Sequence, residues 1–176
     1  KISKFLKKIN IKKGDRVAAY MPNTIETVEA FIATTSLGGI WSSCSPDFGS
    51  KGVIERFSQI NPKVLFITDQ YFYNGKKIDV LKRLPEILKF IPSIKSVVIS
   101  NYPGKKFIKN KFKFKKINFF KWNKLIQTNA EKINFKRFDF ETELAILYSS
   151  GTTGKPKCIC HRSGGVLIQH MKEHQL

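Results

Sequence analysis

Over residues 1–100, short apolar runs alternate with segments of helical periodicity. Apolar runs of four or five residues bounded by turn residues predict buried strands, because they are too short to form a helix. Strands that alternate with helices form parallel sheets, since each helix carries the chain back across the sheet. We therefore predict an α/β fold with a mostly parallel, doubly wound sheet and flanking helices.

The predicted strands and helices follow one another along the chain. Strands are predicted at residues 17–21, 40–43, 64–68, 96–99 and 144–148, and helices at residues 1–10, 24–37, 51–59 and 78–90. Thr24 is the predicted N-cap of the second helix, and Gly38 and Gly39 end it. The apolar residues of this helix recur at helical spacing and predict one amphipathic face, which consists of Ile25, Val28, Phe31, Ile32 and Leu37.

Residues 101–142 differ from the rest of the chain because Lys and Phe interleave there without a clear period. Such interleaving is typical of proteins that bind single-stranded nucleic acids. We favour a basic, variable surface excursion with an edge strand at residues 112–117 and a short helix at residues 122–126. Lysines on an exposed edge strand also discourage aggregation.

The net charge of +19, from 32 Lys and Arg against 13 Asp and Glu, would suit an anionic partner. However, nearly all of the excess is lysine, whereas proteins that read nucleic acids use arginine for bidentate contacts. The chain also lacks a nucleic-acid recognition motif and an apolar stretch of about 20 residues that would span a membrane. We therefore predict neither nucleic acid nor membrane as a partner.

The three cysteines, Cys44, Cys158 and Cys160, form an odd set without the spacing of a disulfide framework. Reduced thiols are typical of the cytoplasm, and we predict that localisation.

The apolar run 144–148 leads into a segment rich in hydroxyl groups, glycine and lysine. Gly151 and Gly154 allow tight turns that point backbone N–H groups inward, and hydroxyls and lysines add further donors for phosphate. We predict that ATP phosphates bind to Ser149, Ser150, Gly151, Thr152, Thr153, Gly154, Lys155 and Lys157.

This segment, 149–157, is not a Walker A motif. Two residues separate its glycines instead of four, and Pro156 follows Lys155 where Walker A has Ser or Thr. The alternative to a phosphate-binding segment is a flexible surface loop. However, glycine-rich linkers seldom follow a buried strand and end in spaced lysines, as this segment does. Within the segment, Lys157 is the strongest candidate for phosphate contact.

Residues 148–157 resemble the phosphate-binding signature of the adenylate-forming superfamily, which includes acyl-CoA synthetases. Residues 38–49, 62–66 and 73–76 resemble the acetoacetyl-CoA synthetases within it. The resemblance implies a two-step ligase that uses ATP, Mg²⁺ and CoA. A carboxylate attacks the α-phosphate of ATP to give an acyl-adenylate and pyrophosphate, and CoA then takes the acyl group. Cys158 departs from the Gly or Ala that is usual in the family.

The resemblance implies that residues 1–176 are part of the N-terminal AMP-binding domain, with the C-terminal domain and its catalytic lysine absent. We expect three parts: residues 1–100, the excursion 101–142, and the phosphate-loop region 143–176. We expect acetoacetate as the substrate and no ligase activity from the fragment by itself. Two alternatives stay open: a ligase for acetate or another short acid, and a non-catalytic basic module that binds nucleotides or nucleic acids.

Asn74, Gly75 and Lys76 are similar to the stretch that contacts the CoA phosphate in acetyl-CoA synthetases. A glycine turn ahead of a helix, with adjacent lysines, suits an anion. An ordinary Asn-Gly turn with surface lysines is an equal alternative.

Two patterns resemble metal sites. His170 and His174 belong to a His-x-x-Glu-His pattern that lacks a third ligand, and Cys158-Ile159-Cys160-His161 lacks a second cysteine pair. We predict instead that the latter residues alternate on a strand, with both cysteines on one face, and that the chain holds no metal.

Overall fold

The computed structural model describes residues 1–106, 112, 114–129, 135–149 and 154–175. Its strands are β1 (Arg16–Tyr20), β2 (Ile40–Cys44), β3 (Val64–Thr68), β4 (Gln70–Tyr73), β5 (Lys76–Asp79), β6 (Ser96–Ser100), β7 (Asn118–Lys121), β8 (Glu143–Ser149) and β9 (Lys157–Arg162). Its helices are α1 (Ile2–Lys8), α2 (Ile25–Thr35), α3 (Ser50–Ile60), α4 (Leu84–Phe90), α5 (Trp122–Ile126) and α6 (Ser163–Gln175).

Seven strands form the main sheet, in the order β7-β6-β3-β1-β2-β8-β9. Neighbouring strands pair in parallel except β8 and β9, which are antiparallel. A predominantly parallel sheet agrees with the sequence-based prediction. The antiparallel edge strand arises because the short connection from β8 to β9 leaves no room for a crossover helix.

Each face of the sheet carries its own hydrophobic core. Ala18 and Tyr20 of β1 contribute to the core shared with α3 and α4, whereas Val17 and Ala19 contribute to the core shared with α1, α2 and α5. Alternate residues of one strand point to opposite faces, so a strand buried on both sides reads as a continuous apolar run. Helices on both faces confirm the predicted doubly wound arrangement.

Helix α2 and the turn after it bury only part of the face that the apolar spacing predicts. Leu37 is buried and Phe31 packs on the same core, whereas Ile25, Val28 and Ile32 are 77%, 56% and 49% exposed. Ala30 and Ala33 of the helix are buried against the sheet. Small residues allow the helix to approach the strands closely. The spacing of the large apolar residues does not reveal that alanines form this contact. Thr24 is the N-cap as predicted, but its side chain makes no capping hydrogen bond.

The helix predicted at residues 78–90 is wrong in its first part. Residues 76–79 form β5, which pairs antiparallel with β4 through the two-residue turn Asn74–Gly75. Both turn residues have positive φ, 47° and 71°, as a type I′ turn requires. A 3₁₀ turn (Leu81–Arg83) precedes α4, so the helix itself begins only at Leu84.

The predicted edge strand is also displaced along the chain. Residues 118–121 form β7, which pairs in parallel with β6, whereas Phe112 and Phe114 lie outside any strand and pack on the core of α3 and α4. Residues 122–126 form the short helix as predicted. The division of the chain at residues 100 and 142 stays a prediction. In the part of the chain that the structure describes, no helix is long and apolar enough to span a membrane.

Candidate functional site

The carboxyl ends of the parallel strands share one edge of the sheet, and the segments that follow them form the candidate site. In open α/β sheets this edge is where ligands bind. The segment after β2 is 45–49, the hairpin β4–β5 follows β3, and the predicted phosphate-binding segment follows β8. The ends of β3 and β8 are three interstrand spacings apart, about 14 Å.

Strands β8 and β9 place both ends of the predicted phosphate-binding segment together. Ser149 is the register partner of Lys157, so their side chains lie on the same face of the sheet. Gly154 has φ = 123°, a conformation that favours glycine, and Lys155 and Lys157 are exposed. The predicted ligands Ser150, Gly151, Thr152 and Thr153 lie outside the described residues.

Tyr148, which precedes Ser149, points to the opposite face of β8 and packs against the core of α3 and α4. Its hydroxyl oxygen lies 3.0 Å from Ser42 Oγ on the neighbouring strand, and Ser42 Oγ lies 2.8 Å from the Ile146 carbonyl oxygen. Burial raises the pKa of Tyr148, although the hydrogen bond with Ser42 opposes this effect. The Tyr148 side chain is therefore neutral and fixed in position, and it directly precedes the phosphate-binding segment.

Helix α3 contacts the strand before this segment and the residue that precedes the strand after it. The rings of Phe57 and Tyr148 are 6.4 Å apart, and the Arg56 guanidinium lies 5.8 Å from the Tyr148 ring. Gln59 Nε2 donates a hydrogen bond of 3.0 Å to the carbonyl oxygen of Pro156, the residue before Lys157. One helix thus contacts the residue just before the candidate segment and a residue near the end of it.

The segment after β2 is fixed by two side chains from other elements. Arg83 Nη1 donates to the carbonyl oxygens of Pro46 and Phe48, each at 2.8 Å, and also to the Tyr20 hydroxyl. The Tyr20 hydroxyl in turn donates to the Phe48 carbonyl. Burial raises the pKa of Tyr20 despite the nearby Arg83 charge, so the hydroxyl keeps its proton. Because backbone carbonyls of segment 45–49 are satisfied in this way, its position is well defined.

Trp41 and Phe48, the aromatic residues of the acetoacetyl-CoA synthetase-like stretch, lie in different surroundings. Trp41 is 5% exposed and packs on Phe31 and Phe66 in the core of α1, α2 and α5. Phe48 is 38% exposed at the candidate site. Trp41 is therefore a core residue, and Phe48 is the one that borders the site.

The CoA candidates Asn74, Gly75 and Lys76 lie at the tip of the β4–β5 hairpin rather than ahead of a helix. The structure thus removes the helix N-terminus as the reason for an anion to bind there, while the assignment of CoA to these residues stays a prediction. Tyr71 and Tyr73 stack on one face of the hairpin, with ring centroids 6.2 Å apart. Tyr73 and Lys76 are both exposed.

The residues that resemble metal sites are also placed. Cys158 and Cys160 lie on one face of β9, and Ile159 and His161 lie on the other, as the alternation predicted. His170 and His174 lie one turn apart on α6, with ring centroids separated by 6.4 Å. No group of three His, Cys, Asp or Glu side chains that could bind a metal ion occurs among the residues that the structure describes.

Sequence reasoning missed four residues that shape the site: Tyr20, Arg56, Gln59 and Arg83. Arg56 and Gln59 are three positions apart on one helix, which is compatible with a shared role. Nothing in the sequence indicates which strands that helix faces, however.

The AMP-binding enzyme family matches residues 1–175. The chain is 43% identical to acetoacetyl-CoA synthetases of Macaca fascicularis and Rhizobium meliloti, over 97% and 99% of its length. It is similar to the solved acetoacetyl-CoA synthetase from Streptomyces lividans, with a TM-score of 0.87 and 36% identity over 99% of the chain. The chain spans 26% of the length of each of these relatives. The chain belongs to the AMP-binding enzyme family, as its phosphate-loop resemblance predicted.

Proposed function

We propose that the protein is an acetoacetate–CoA ligase that forms AMP and pyrophosphate. The similarity to proteins named acetoacetyl-CoA synthetase, which extends over nearly the whole chain, carries this proposal. In the first step, a carboxylate oxygen of acetoacetate attacks the α-phosphorus of ATP, and the bond to pyrophosphate breaks. In the second, the CoA thiol, having lost its proton, attacks the acyl carbon and AMP leaves.

In the first step, the segment 149–157 would bind the phosphates of ATP. Negative charge builds up on the departing pyrophosphate, and donors arranged beforehand stabilise it most effectively. Ser149 and Lys157 supply a hydroxyl and an ammonium group from adjacent strands on the same face of the sheet. Mg²⁺ would enter with ATP, since this ion is usually bound through substrate phosphates and one or two carboxylates.

The tip of the β4–β5 hairpin is the proposed contact for CoA. Lys76 brings an exposed charge to the same edge of the sheet as the phosphate-binding segment, and CoA carries several phosphate charges. The hairpin follows β3 and the phosphate-binding segment follows β8, so the two proposed contacts belong to segments that leave different strands of the sheet. Anionic substrates also suit the basic character of the chain.

The acid substrate is the least constrained part of the proposal. A malonamoyl-CoA synthetase from Penicillium aethiopicum is 37% identical over 97% of the chain. Malonamate and acetoacetate differ only in an amino group in place of a methyl group next to the second carbonyl. A ligase for malonamate is therefore the second candidate, and acetate serves as the acid that lacks this carbonyl.

The test is acid-dependent exchange of labelled pyrophosphate into ATP by the natural protein that carries this sequence, at its full length. We expect exchange with acetoacetate at the highest kcat/KM among acetoacetate, malonamate and acetate. A preference for malonamate would replace the substrate but keep the reaction. Absence of exchange with every acid, together with salt-sensitive oligonucleotide binding, would instead support the basic binding module.

The variant Lys157→Ala tests the role of the phosphate-binding segment. We expect the kcat of exchange to fall by about 10²-fold, because a donor aimed at the developing charge is lost. Lys89→Ala is the matched control, since this exposed lysine lies in the last turn of α4. Unchanged exchange in Lys157→Ala would contradict the assignment of Lys157 to the phosphates.

A further inference from the structure

Arg56 lies between two aromatic rings that belong to different parts of the candidate site. Its guanidinium carbon is 4.2 Å from the centroid of the Phe48 ring and 5.8 Å from that of Tyr148. Its Nη1 donates a 2.9 Å hydrogen bond to the carbonyl of Gly52, one turn earlier in α3. The Phe48 ring also packs against Gly52, where an added Cβ would be only 3.2 Å from Phe48 Cδ1.

Arg56 is half-buried, and its contacts are with two aromatic rings and a backbone carbonyl. Among the described residues it forms no ion pair, unlike Arg162, which pairs with Glu141. Stacking on aromatic faces is therefore its main interaction, and cation–π contacts strengthen when they are partly desolvated. The planar guanidinium suits such stacking better than a lysine ammonium.

The two rings differ in how firmly they are positioned. Phe48 belongs to the segment whose carbonyls bind Arg83 and Tyr20, so its backbone is fixed from β1 and from the turn before α4. Tyr148 immediately precedes Ser149, the first residue of the phosphate-binding segment. Arg56 thus connects Phe48, in the fixed segment 45–49, to Tyr148, which directly precedes the phosphate-binding segment.

We propose that Arg56 is a positioning residue for Ser149, the last residue of β8, and acts through the ring of Tyr148. This inference rests on the proposed ligase function. Loss of the stack lets the end of β8 shift, and displacement of catalytic groups by about 1 Å can lower a rate by about 10²-fold. The effect should appear mainly in kcat of the first step, since Arg56 would fix the position of the Ser149 hydroxyl.

The test compares Arg56→Met and Arg56→Lys with Arg16→Met in the natural, full-length protein. Arg16 contacts the other end of the same helix, donating to the carbonyl oxygens of Ile60 and Asn61 at 2.6 and 3.2 Å. Its replacement therefore reports the general cost of loosening α3. We expect Arg56→Met to lower kcat of pyrophosphate exchange by about 10- to 100-fold, with Arg56→Lys in between and Arg16→Met near the wild-type rate.

A double-mutant cycle with Tyr148→Leu tests whether Arg56 acts through that ring. If it does, the double variant Arg56→Met/Tyr148→Leu loses hardly more activity than the more damaging single variant, because both changes remove one interaction. The KM for acetoacetate should change less than kcat in each variant. Thermal unfolding of every variant identifies any that fails to fold. If Arg56→Met does not fold, Arg56→Lys provides the test, because it keeps the charge and roughly the length of the side chain.

Three outcomes would overturn the inference. They are wild-type kcat in Arg56→Met, multiplicative losses in the double variant, and an equal loss of kcat in Arg16→Met. Multiplicative losses would mean that Arg56 contacts the reacting groups independently of Tyr148. If the wild-type protein itself shows no exchange with any acid, the proposed function fails and the inference fails with it. Normal wild-type exchange with an unaffected Arg56→Met removes this inference only.

Discussion

Burial gives the cysteines of this chain different chemistry. Cys44 is 4% exposed at the end of β2, and burial, only partly offset by the nearby Arg56 charge, raises its pKa to about 12. Cys158 and Cys160 are exposed on β9, with pKa values raised by partial burial and, for Cys160, also by Glu143. The thiolate is the reactive form, so access and pKa together set the reactivity of each residue.

We expect Cys158 and Cys160 to react with iodoacetamide in the folded protein, and Cys44 to react only after unfolding. Because the pKa values of both exposed thiols are raised, their labelling should still accelerate as the pH increases past the ordinary cysteine value of 9.0. Peptide mass spectrometry after labelling in buffer and in urea gives the measurement. Equal labelling of Cys44 in both conditions would show that the end of β2 is accessible.

At the scale of elements, the start of α6 depends on a close contact. Gly164 lies at the junction of β9 and α6, where an added Cβ would be 2.1 Å from Cδ2 of Phe140. Its N–H also donates a 3.0 Å hydrogen bond to the Phe140 carbonyl. An added Cβ at the next residue, Gly165, meets nothing within 4 Å. Two adjacent glycines of one helix therefore have opposite tolerance for a side chain.

We expect Gly165→Ala to stabilise the protein by about 0.5–1 kcal/mol, since alanine has the higher helix propensity. Gly164→Ala should destabilise it by about 1–3 kcal/mol because the ring of Phe140 must move. Thermal unfolding of both variants measures the difference. Phe140→Ala in the Gly164→Ala background should recover most of the loss. If the stability loss of Gly164→Ala persists in the Phe140→Ala background, its cause is backbone strain and not the clash with the Phe140 ring.

For the whole molecule, the two edges of the sheet have separate roles. The candidate site lies at the carboxyl edge, while Asp15 at the opposite edge connects β1 to the start of β3 through Lys63 at 2.7 Å. Burial raises the pKa of Asp15, but hydrogen bonds from Lys63 and the Lys12 amide and the charges of Lys63 and Arg16 together lower it below 3.8. A carboxyl with a lowered pKa stabilises the fold above its unfolded pKa.

We therefore expect Asp15→Asn to lose about 1–2 kcal/mol of unfolding free energy at neutral pH. This stabilisation is complete above the ordinary pKa of 3.8 and disappears as the pH falls through the lowered value. The stability difference between the two proteins should consequently vanish in acid. Asp139→Asn is the control, because its 89% exposed carboxylate lies 3.6 Å from Lys13 Nζ. Denaturant unfolding across pH measures this, and a difference that persists in acid would contradict the assignment.

The sequence by itself determined the alternation of strands and helices, and its phosphate-loop motif determined the family. Both are local patterns: period and turn residues predict β1, β3 and β6 because each is a run buried on both faces. The motif likewise predicted the phosphate-binding residues, of which the structure describes Ser149, Gly154, Lys155 and Lys157.

Only the tertiary structure decided which elements meet. Residues 76–79 form a strand because β4 pairs with them across a type I′ turn, although residues 78 and 79 belong to the segment whose spacing predicts a helix. Ile25, Val28 and Ile32 of α2 stay exposed because its alanines approach the sheet. The positions of Arg56 and Gln59 beside β8 and β9 follow from packing between residues about 90 apart in sequence, which a local pattern cannot specify.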